Sequence, residues 1–256
     1  MSKILLEVKD LAQHFGGLKA VDQVNLVIHE GEIVSVIGPN GAGKTTFFNV
    51  LTGVYPGTRG DIVFCGDDIR GKQCHDIVCR GVSRTFQNIR LFANMTALEN
   101  VMVGRHSRTK QFLLGPLLRT RAFREEEAET EAKAKELLEF VGLKSLGNEL
   151  AKNLPYGAQR KLEVARALAA EPRLLILDEP TAGMNPTESQ DLVALARKVR
   201  DRGITVLLIE HQMRVVLDIS DRVFVFDYGV KIAEGKPKEV MNNPRVIEAY
   251  LGKEGA

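Results

Sequence analysis

Residues 38–46 are Gly38-Pro39-Asn40-Gly41-Ala42-Gly43-Lys44-Thr45-Thr46. The run from Glu32 to Ile37 before them is apolar after its first residue except for Ser35, and it predicts a buried strand. The apolar stretch Phe47–Leu51 after them predicts a helix, so the glycines lie on a strand-to-helix turn. A glycine-rich loop in this position binds phosphate through backbone N–H groups at a helix N-terminus. The expected ligand is therefore a nucleoside triphosphate.

Each type of residue in this loop has an expected task. The glycines let the backbone curl around a β-phosphate, Lys44 reaches the β- and γ-oxygens, and Thr45 offers its hydroxyl to Mg²⁺. The whole loop is expected to contact the nucleotide, which gives the candidate set Gly38, Pro39, Asn40, Gly41, Ala42, Gly43, Lys44, Thr45 and Thr46.

A pair of acids forms the second candidate feature. The apolar run Leu174–Leu177 predicts a strand buried on both faces, and Asp178 and Glu179 follow it directly. Asp178 suits Mg²⁺ held through water, because this ion keeps several waters and takes few carboxylates. Glu179 is placed to activate a water molecule as general base. The alternative is a solvated strand end, and the phosphate-binding loop favours the catalytic interpretation.

Three further features occur in a diagnostic order. Gln87 ends the stretch 83–87, His211 follows the predicted strand 205–210, and the segment 154–159 opens a predicted helix over 160–170. Together with the loop and the acid pair, they resemble the ATP-binding-cassette (ABC) ATPases over about residues 4–240. The closer likeness is to the ATPase subunits of branched-chain amino acid importers. It rests on the stretches Phe15–Leu18, Arg84–Asn88, Tyr156–Gln159 and Asn243–Gly252.

The resemblance implies an α/β fold with a RecA-like nucleotide-binding core, an antiparallel β subdomain and an inserted α-helical subdomain. It implies one domain over 4–240, a helical insertion over about 89–170 and a tail over 241–256. Phe15 is expected to stack on adenine, although a core aromatic is the simpler alternative. Gln87 is expected to sense Mg²⁺ and the attacking water while touching the membrane subunit. His211 is expected to contact the γ-phosphate and orient the water activated by Glu179.

The segment 154–159 departs from the commonest family pattern, Leu-Ser-Gly-Gly-Gln. Pro155 takes the place of the serine, Tyr156 that of the first glycine and Ala158 that of the glutamine, while Gly157 is kept. The serine hydroxyl expected to bind the γ-phosphate of an opposite subunit is therefore missing. The backbone at Gly157 and the positive end of a helix beginning near Ala158 still favour an anion. Tyr156 and Gly157 are thus candidate nucleotide contacts, and the role of Tyr156 is open.

Elsewhere the patterns predict a conventional arrangement of elements. Residues 4–37 predict antiparallel strands leading into the loop, and residues 61–70 predict a further strand pair. Residues 125–140 predict a helix, on which Ala128, Ala132, Lys135, Leu138 and Val141 recur at helical spacing. Asn185-Pro186 predicts the start of the next helix and Gly203 its end. Residues 222–233 predict a hairpin that turns at Tyr228-Gly229.

Bulk composition narrows the class of protein. The chain has 256 residues, of which 44% are hydrophobic. This is enough to form a hydrophobic core that needs no disulfide bonds or structural metal ions. The three cysteines Cys65, Cys74 and Cys79 fit neither a disulfide framework nor a paired zinc site, and the cluster with His75 is a weak metal candidate. No apolar run approaches the length of a membrane span, and the start has no signal-peptide pattern. A net charge of +2 is too small to create a positive potential over the whole surface that would attract nucleic acid or anionic lipid.

The expected partners follow from the resemblance. ATP and Mg²⁺ are the expected cofactors, and the partners are membrane permease subunits, a second ABC ATPase and, indirectly, an external substrate-binding protein. The chain is expected at the cytoplasmic face of the inner membrane. The basic and apolar segment 105–124 predicts a solvated loop near the bilayer or permease, or alternatively a lipid contact. Lipid or lipopolysaccharide export is an alternative function. Action on DNA or the ribosome is less favoured, because the chain has one cassette and no sustained heptads.

Overall fold

The computed structural model describes residues 3–108 and 121–251. The strands are β1 (Ile4–Phe15), β2 (Leu18–His29), β3 (Ile33–Ile37), β4 (Arg59–Phe64), β5 (Asp67–Asp68), β6 (Val82–Arg84), β7 (Leu174–Asp178), β8 (Thr205–Ile209), β9 (Arg222–Asp227) and β10 (Val230–Gly235). The helices are α1 (Lys44–Leu51), α2 (Cys74–Cys79), α3 (Ala97–Gly104), α4 (Arg121–Phe140), α5 (Tyr156–Leu168), α6 (Pro186–Asp201), α7 (Met213–Ile219), α8 (Pro237–Met241) and α9 (Pro244–Leu251). Short 3₁₀ turns lie at Arg105–Arg108, Lys144–Leu146 and Ala151–Asn153.

The strands of the described ranges form two sheets. A six-stranded sheet has the order β10-β9-β3-β8-β7-β6, in which β9, β3, β8, β7 and β6 run parallel and β10 is antiparallel. A four-stranded antiparallel sheet has the order β2-β1-β4-β5. The α/β fold class and the antiparallel β portion are thereby confirmed.

The expectation that residues 4–37 form only antiparallel strands is wrong for β3. Residues 33–37 pair in parallel with β8 and β9 instead. All five residues of β3 are buried, because the parallel sheet is covered on both faces. The antiparallel β1 and β2 keep exposed positions among their buried ones, as strands with one solvated face do.

The apolar core lies between the two sheets around α1. Phe47 and Phe48 of α1 are fully buried, and the ring of Phe47 meets that of Phe226 edge-on at 5.3 Å between centroids. On the opposite face of the parallel sheet, α3, α4, α5 and α6 contribute to a second buried cluster. This packing holds the loop between β3 and α1 against a rigid base.

Two helices start earlier than the sequence predicts. Helix α5 begins at Tyr156 instead of near residues 158–160, because Pro155 is extended and its carbonyl accepts the first helical hydrogen bond, from Gln159 N at 2.9 Å. It ends at Leu168, before the predicted Ala170. Helix α4 begins at Arg121 instead of residue 125.

The spacing predicted the existence of α4 but not its buried face. Leu138 is buried, and Val141 just after the helix is buried too, but Ala128, Ala132 and Lys135 are exposed. Helices α3, α4 and α5 pack against one another. The subdomain limits of about 89–170 and the tail at 241–256 stay predictions. Helix α9 occupies part of that tail, with Val246 buried.

The basic segment 105–124 lies partly outside the described residues, which omit 109–120. At its described start, Arg105 forms ion pairs of 2.6 Å with both Glu129 and Glu171, and Arg108 donates to the carbonyl of Ala170 at 2.7 Å. These two arginines are therefore held within the chain. Among the described residues, no helix combines the length and the apolar character that a membrane crossing requires.

The predicted start of α6 is confirmed in detail. The Asn185 side chain accepts from Glu188 N at 2.9 Å, the Glu188 carboxylate accepts from Asn185 N at 3.1 Å, and Pro186 occupies the first turn. This reciprocal pair satisfies two backbone N–H groups that the helix itself cannot pair.

We expect Asn185→Ala to lower the free energy of unfolding by about 1 kcal/mol, because one of these N–H groups loses its partner. Urea denaturation followed by far-UV circular dichroism measures the change. Asn185→Ser is the matched control and should retain most of the stability, since serine also caps helices. Equal stability of the alanine variant and the unmodified protein would show that the cap contributes nothing.

Candidate nucleotide-binding and catalytic site

The candidate residues meet at one edge of the parallel sheet. The loop 38–43 follows β3, Gln87 lies shortly after β6, Glu179 follows β7 and His211 lies shortly after β8. Because these strands run parallel, their carboxyl ends share an edge, which is where open α/β sheets bind ligands. The strand order thus assembles residues that are far apart in the sequence.

The loop conformation requires glycine at two positions. Gly38 has φ of 149°, and an added Cβ would lie 2.1 Å from the carbonyl oxygen of Phe226. Gly43 has φ of 92°, and its Cβ would lie 2.2 Å from the carbonyl oxygen of Ala20. A side chain at either position would therefore force the backbone to move, and the loop would lose its curl around the helix N-terminus.

Lys44 folds back over this loop. Its Nζ donates to the carbonyl oxygens of Gly38 at 2.5 Å and Pro39 at 2.9 Å. Burial lowers the pKa of Lys44, and the negative charge of Glu179 acts in the opposite direction. A positive charge that is held in place and partly stripped of water is well suited to bind phosphate oxygens.

A cleft of about 360 Å³ opens beside the loop. It is lined by seven loop residues, two acid–base candidates and five residues that the sequence did not predict: Asn40, Gly41, Ala42, Gly43, Lys44, Thr45, Thr46, Glu179, His211, Leu18, Lys19, Ala20, Tyr228 and Gly229. Tyr228-Gly229 was predicted only as a turn. Its place at the cleft depends on two hydrogen bonds, from Gly229 N to the Ala42 carbonyl at 3.1 Å and from Asp22 N to the Gly229 carbonyl at 2.8 Å.

Glu179 is held from both sides. The amide of Gln87 donates to Glu179 Oε2 at 2.7 Å, and His211 Nε2 lies 2.5 Å from Glu179 Oε1. Glu179 N also donates to the Ile209 carbonyl at 3.0 Å, and the residue has φ of 46°, a strained conformation for a side chain other than glycine. The structure therefore brings Glu179, Gln87 and His211 together with the carboxylate fixed beside the cleft.

Asp178 is buried and paired with an arginine. Arg84 Nη2 donates to Asp178 Oδ2 at 2.6 Å, and Arg84 Nη1 donates to Asn49 at 2.9 Å and to Thr52 at 3.2 Å. Sequence reasoning used Arg84 only as part of a recognised stretch. The signal that could have identified this pair is the position of Arg84 at the end of a buried strand. Such a charge needs an acidic partner, and Asp178 ends another buried strand of the same sheet.

Five predicted nucleotide contacts do not line this cleft, namely Phe15, Gly38, Pro39, Tyr156 and Gly157. Phe15, which is 43% exposed, is not among the lining residues of the cleft. The Tyr156 hydroxyl donates to the carbonyl oxygen of Ala182 in its own chain, and a Cβ added at Gly157 would lie 2.8 Å from Glu188 Oε1. Nucleotide contacts by these five residues stay predictions, as do those by the loop residues that line the cleft.

The oxygen groups suit a small hard cation. Thr45 offers a hydroxyl, Gln87 an amide oxygen and Asp178 a carboxylate, and Mg²⁺ prefers such ligands together with water and phosphate. In the described ranges no three His, Cys, Asp or Glu side chains cluster as a metal site would require, and this holds around Cys74 and Cys79, which are free and exposed.

Comparison with known proteins agrees with this geometry. A family model described as ABC transporter matches residues 21–182. The chain belongs to the ABC transporter family. A second model, described as branched-chain amino acid ATP-binding cassette transporter, matches residues 230–256.

Individual relatives extend over nearly the whole chain. It is 50% identical to the high-affinity branched-chain amino acid transport ATP-binding protein BraF of Pseudomonas aeruginosa, covering 99% of this chain and 100% of that protein. A solved ADP conformation of an ATP-binding cassette matches with a TM-score of 0.86 and 34% identity, over 98% of this chain and 100% of that one. As a member of this family, the chain is an ATP-binding cassette that hydrolyses ATP.

A third match is a dimeric post-hydrolysis cassette bound to ADP and phosphate, with a TM-score of 0.76 and 25% identity, over 91% of this chain and 99% of that one. The predicted family, fold and ATPase activity are confirmed.

Proposed function

We propose that the chain energises the uptake of branched-chain amino acids, as one of two ATPase subunits bound to a membrane permease. The proposed mechanism of ATP hydrolysis rests on one observation: Gln87 and His211 hold the Glu179 carboxylate beside the cleft that the phosphate-binding loop lines. The substrate class is supported by the BraF relative and by the branched-chain transporter model over the C-terminal residues.

Glu179 acts as the general base in this proposal. Its carboxylate takes a proton from a water molecule as that water attacks the γ-phosphorus of ATP. The bond between the γ-phosphorus and the β,γ-bridging oxygen breaks, so that ADP is the leaving group and inorganic phosphate is the other product. Gln87 and His211 hold the two carboxylate oxygens, so the base is oriented before the substrate arrives. His211 also lines the cleft, from where its ring can contact the γ-phosphate.

The loop and Lys44 bind the phosphates. On ATP binding, Lys44 exchanges its hydrogen bonds to the Gly38 and Pro39 carbonyls for the β- and γ-oxygens. Mg²⁺ would be held by the Thr45 hydroxyl and, through water, by Asp178 and Gln87, where it would supply positive charge to the phosphates. Arg84 occupies one oxygen of Asp178, so that carboxylate keeps its other oxygen for the water shell.

The cleft of one chain is open, which supports a dimer. The segment 154–159 does not line the cleft of its own chain, and a second subunit can therefore cover the ATP with its corresponding segment. The dimeric relative bound to ADP and phosphate supports this arrangement. The second ATPase in this proposal is either a second copy of this chain or a related, different chain.

The stretch around Gln87 would carry the movement to the permease at the cytoplasmic face of the inner membrane. Gln87 is exposed on one side and bonded to Glu179 on the other, so the state of the nucleotide site and the surface at residue 87 are mechanically linked. An external binding protein would deliver the amino acid to the permease.

We expect deletion of the gene to abolish high-affinity uptake of at least one of leucine, isoleucine and valine, measured with radiolabelled amino acids at low concentration. A plasmid carrying the unmodified gene should restore uptake, and a Glu179→Gln gene should not. Normal uptake in the deletion strain would contradict the proposed substrate. If a defect in outer-membrane lipid accompanied it, the export alternative would be favoured.

A further inference from the structure

The phenol of Tyr156 stands where the family pattern has a glycine, and its hydroxyl is used completely within its own chain. It donates to the carbonyl oxygen of Ala182 at 2.8 Å. It accepts from Arg160 Nη2 at 2.9 Å and from Arg160 Nε at 3.2 Å. A phenol hydroxyl has one proton to donate and limited room to accept, so little capacity is left for another ligand.

Arg160 continues the connection toward the Gln87 loop. Its side chain is buried, with Nη1 donating to the Phe86 carbonyl at 2.8 Å and Nη2 donating to the Gln87 carbonyl. Glu163, also buried, balances its charge at 3.2 Å. The guanidinium of Arg160 therefore connects the first turn of α5 to the carbonyls of Phe86 and Gln87. Its flat group with several N–H donors in one plane can make these hydrogen bonds at once.

Both connections end at the same residue. On one side, Gln87 donates from its side chain to Glu179 Oε2 at 2.7 Å. On the other side, Ala182 N donates to the Glu179 carbonyl at 3.1 Å. Tyr156, Ala182, Glu179, Gln87 and Arg160 thus form a closed ring of contacts, which constrains the backbone and the side chain of Glu179 together.

We propose that Tyr156 is a positioning residue for Glu179 in the same chain, which acts by closing this ring. The inference rests on the proposed role of Glu179 as general base. The hydroxyl that the segment 154–159 lacks toward a partner's phosphate is present on Tyr156, but it faces inward. The segment would then have two tasks, covering the partner's nucleotide through Gly157 and fixing its own chain's base through Tyr156.

Tyr156→Phe removes the hydroxyl and keeps the ring beside Arg160, whose guanidinium carbon lies 5.4 Å from the ring centroid. We expect kcat for ATP hydrolysis to fall by about 3- to 10-fold, because the closed set of contacts around Glu179 loses the hydrogen bonds of the Tyr156 hydroxyl to Ala182 and to Arg160. The KM for ATP should stay within about twofold, since in this proposal the Tyr156 hydroxyl does not contact phosphate. The melting temperature should stay close to that of the unmodified protein.

Lys161→Met is the matched control on the same helix. It removes the 2.8 Å ion pair with Asp191, which links α5 to α6 without leading to Glu179, and should change kcat by less than about 1.5-fold. Arg160→Lys is a second test variant. It keeps the charge but cannot hold the three carbonyl and hydroxyl oxygens at once, so it should lower kcat in the same way.

The deciding measurement repeats Tyr156→Phe in the Glu179→Gln background. With the base removed, the phenylalanine should cause no further loss of the residual rate. An equal loss in both backgrounds, or a normal kcat for Tyr156→Phe alone, would overturn the positioning role. Substantial activity of Glu179→Gln by itself would instead contradict the proposed base, so the two failures can be told apart.

Discussion

Glu179→Gln is expected to reduce the turnover of ATP by a factor of about 10² to 10⁴ while leaving ATP affinity within about twofold. Glutamine keeps the shape of the side chain and an oxygen for the Gln87 amide, but it cannot take a proton from the attacking water. Phosphate release from ATP measures the turnover, and equilibrium titration with a fluorescent ATP analogue measures the affinity. The difference between the two effects identifies a residue that acts in the chemical step.

The same variant should accumulate in its ATP-bound dimer, because in the proposed mechanism hydrolysis releases the two subunits. Gel filtration with ATP and Mg²⁺ would show a dimer peak that persists, whereas the unmodified protein would return to monomer. Glu139→Gln is the matched control, because Glu139 forms an exposed surface pair with Lys144 at 2.9 Å and should leave both measurements unchanged. Turnover close to normal in Glu179→Gln would show that another group accepts the proton.

The residues predicted most directly from the sequence are those whose neighbours along the chain decide their place. Lys44 follows a buried strand and glycines, and Glu179 follows the apolar strand β7, so each could be assigned from a short stretch. The start of α6 at Asn185 was predictable for the same reason, since a cap is a local interaction.

Contacts across the sheet could not be predicted in this way. The pair Arg84–Asp178 exists because β6 lies beside β7, and the contact of His211 with Glu179 exists because β8 lies on the other side of β7. Strand order is not written in any single segment. Gln87 and His211 were assigned from family resemblance, and their contacts with Glu179 emerge only from the assembled sheet.

The error at α5 has functional consequences. Placing the helix start near Ala158 left Tyr156 in a loop, where its side chain had no defined direction. Since the helix begins at Tyr156, the phenol points along the first turn toward Arg160, one turn later on the same face. With the helix start near Ala158, Tyr156 is a candidate contact for a partner's nucleotide. With the start at Tyr156, it is a candidate positioning residue for Glu179 in its own chain.

Lys44→Ala is expected to weaken ATP binding by about 10- to 100-fold, because it removes the charge that pairs with the β- and γ-phosphates. The same analogue titration measures the loss, and adenosine binding should stay unchanged because adenosine has no phosphate. Lys144→Ala is the matched control, because Lys144 lies on the surface and pairs with the exposed Glu139. This variant should bind ATP normally. Normal ATP affinity of Lys44→Ala would mean that the loop backbone alone holds the phosphates.

The pKa of Lys44 gives this prediction a second readout. Burial holds the pKa of Lys44 below its ordinary value in the nucleotide-free chain. We expect the phosphates of ATP to raise this pKa in the complex, because nearby negative charge favours the protonated amine. Between those two pKa values, in the alkaline range, binding takes up protons, and affinity for ATP falls as the pH rises through the interval. Calorimetry in two alkaline buffers of different ionisation enthalpy detects the uptake, which should disappear in Lys44→Ala. Uptake that persists in the variant would have to come from another group in the cleft.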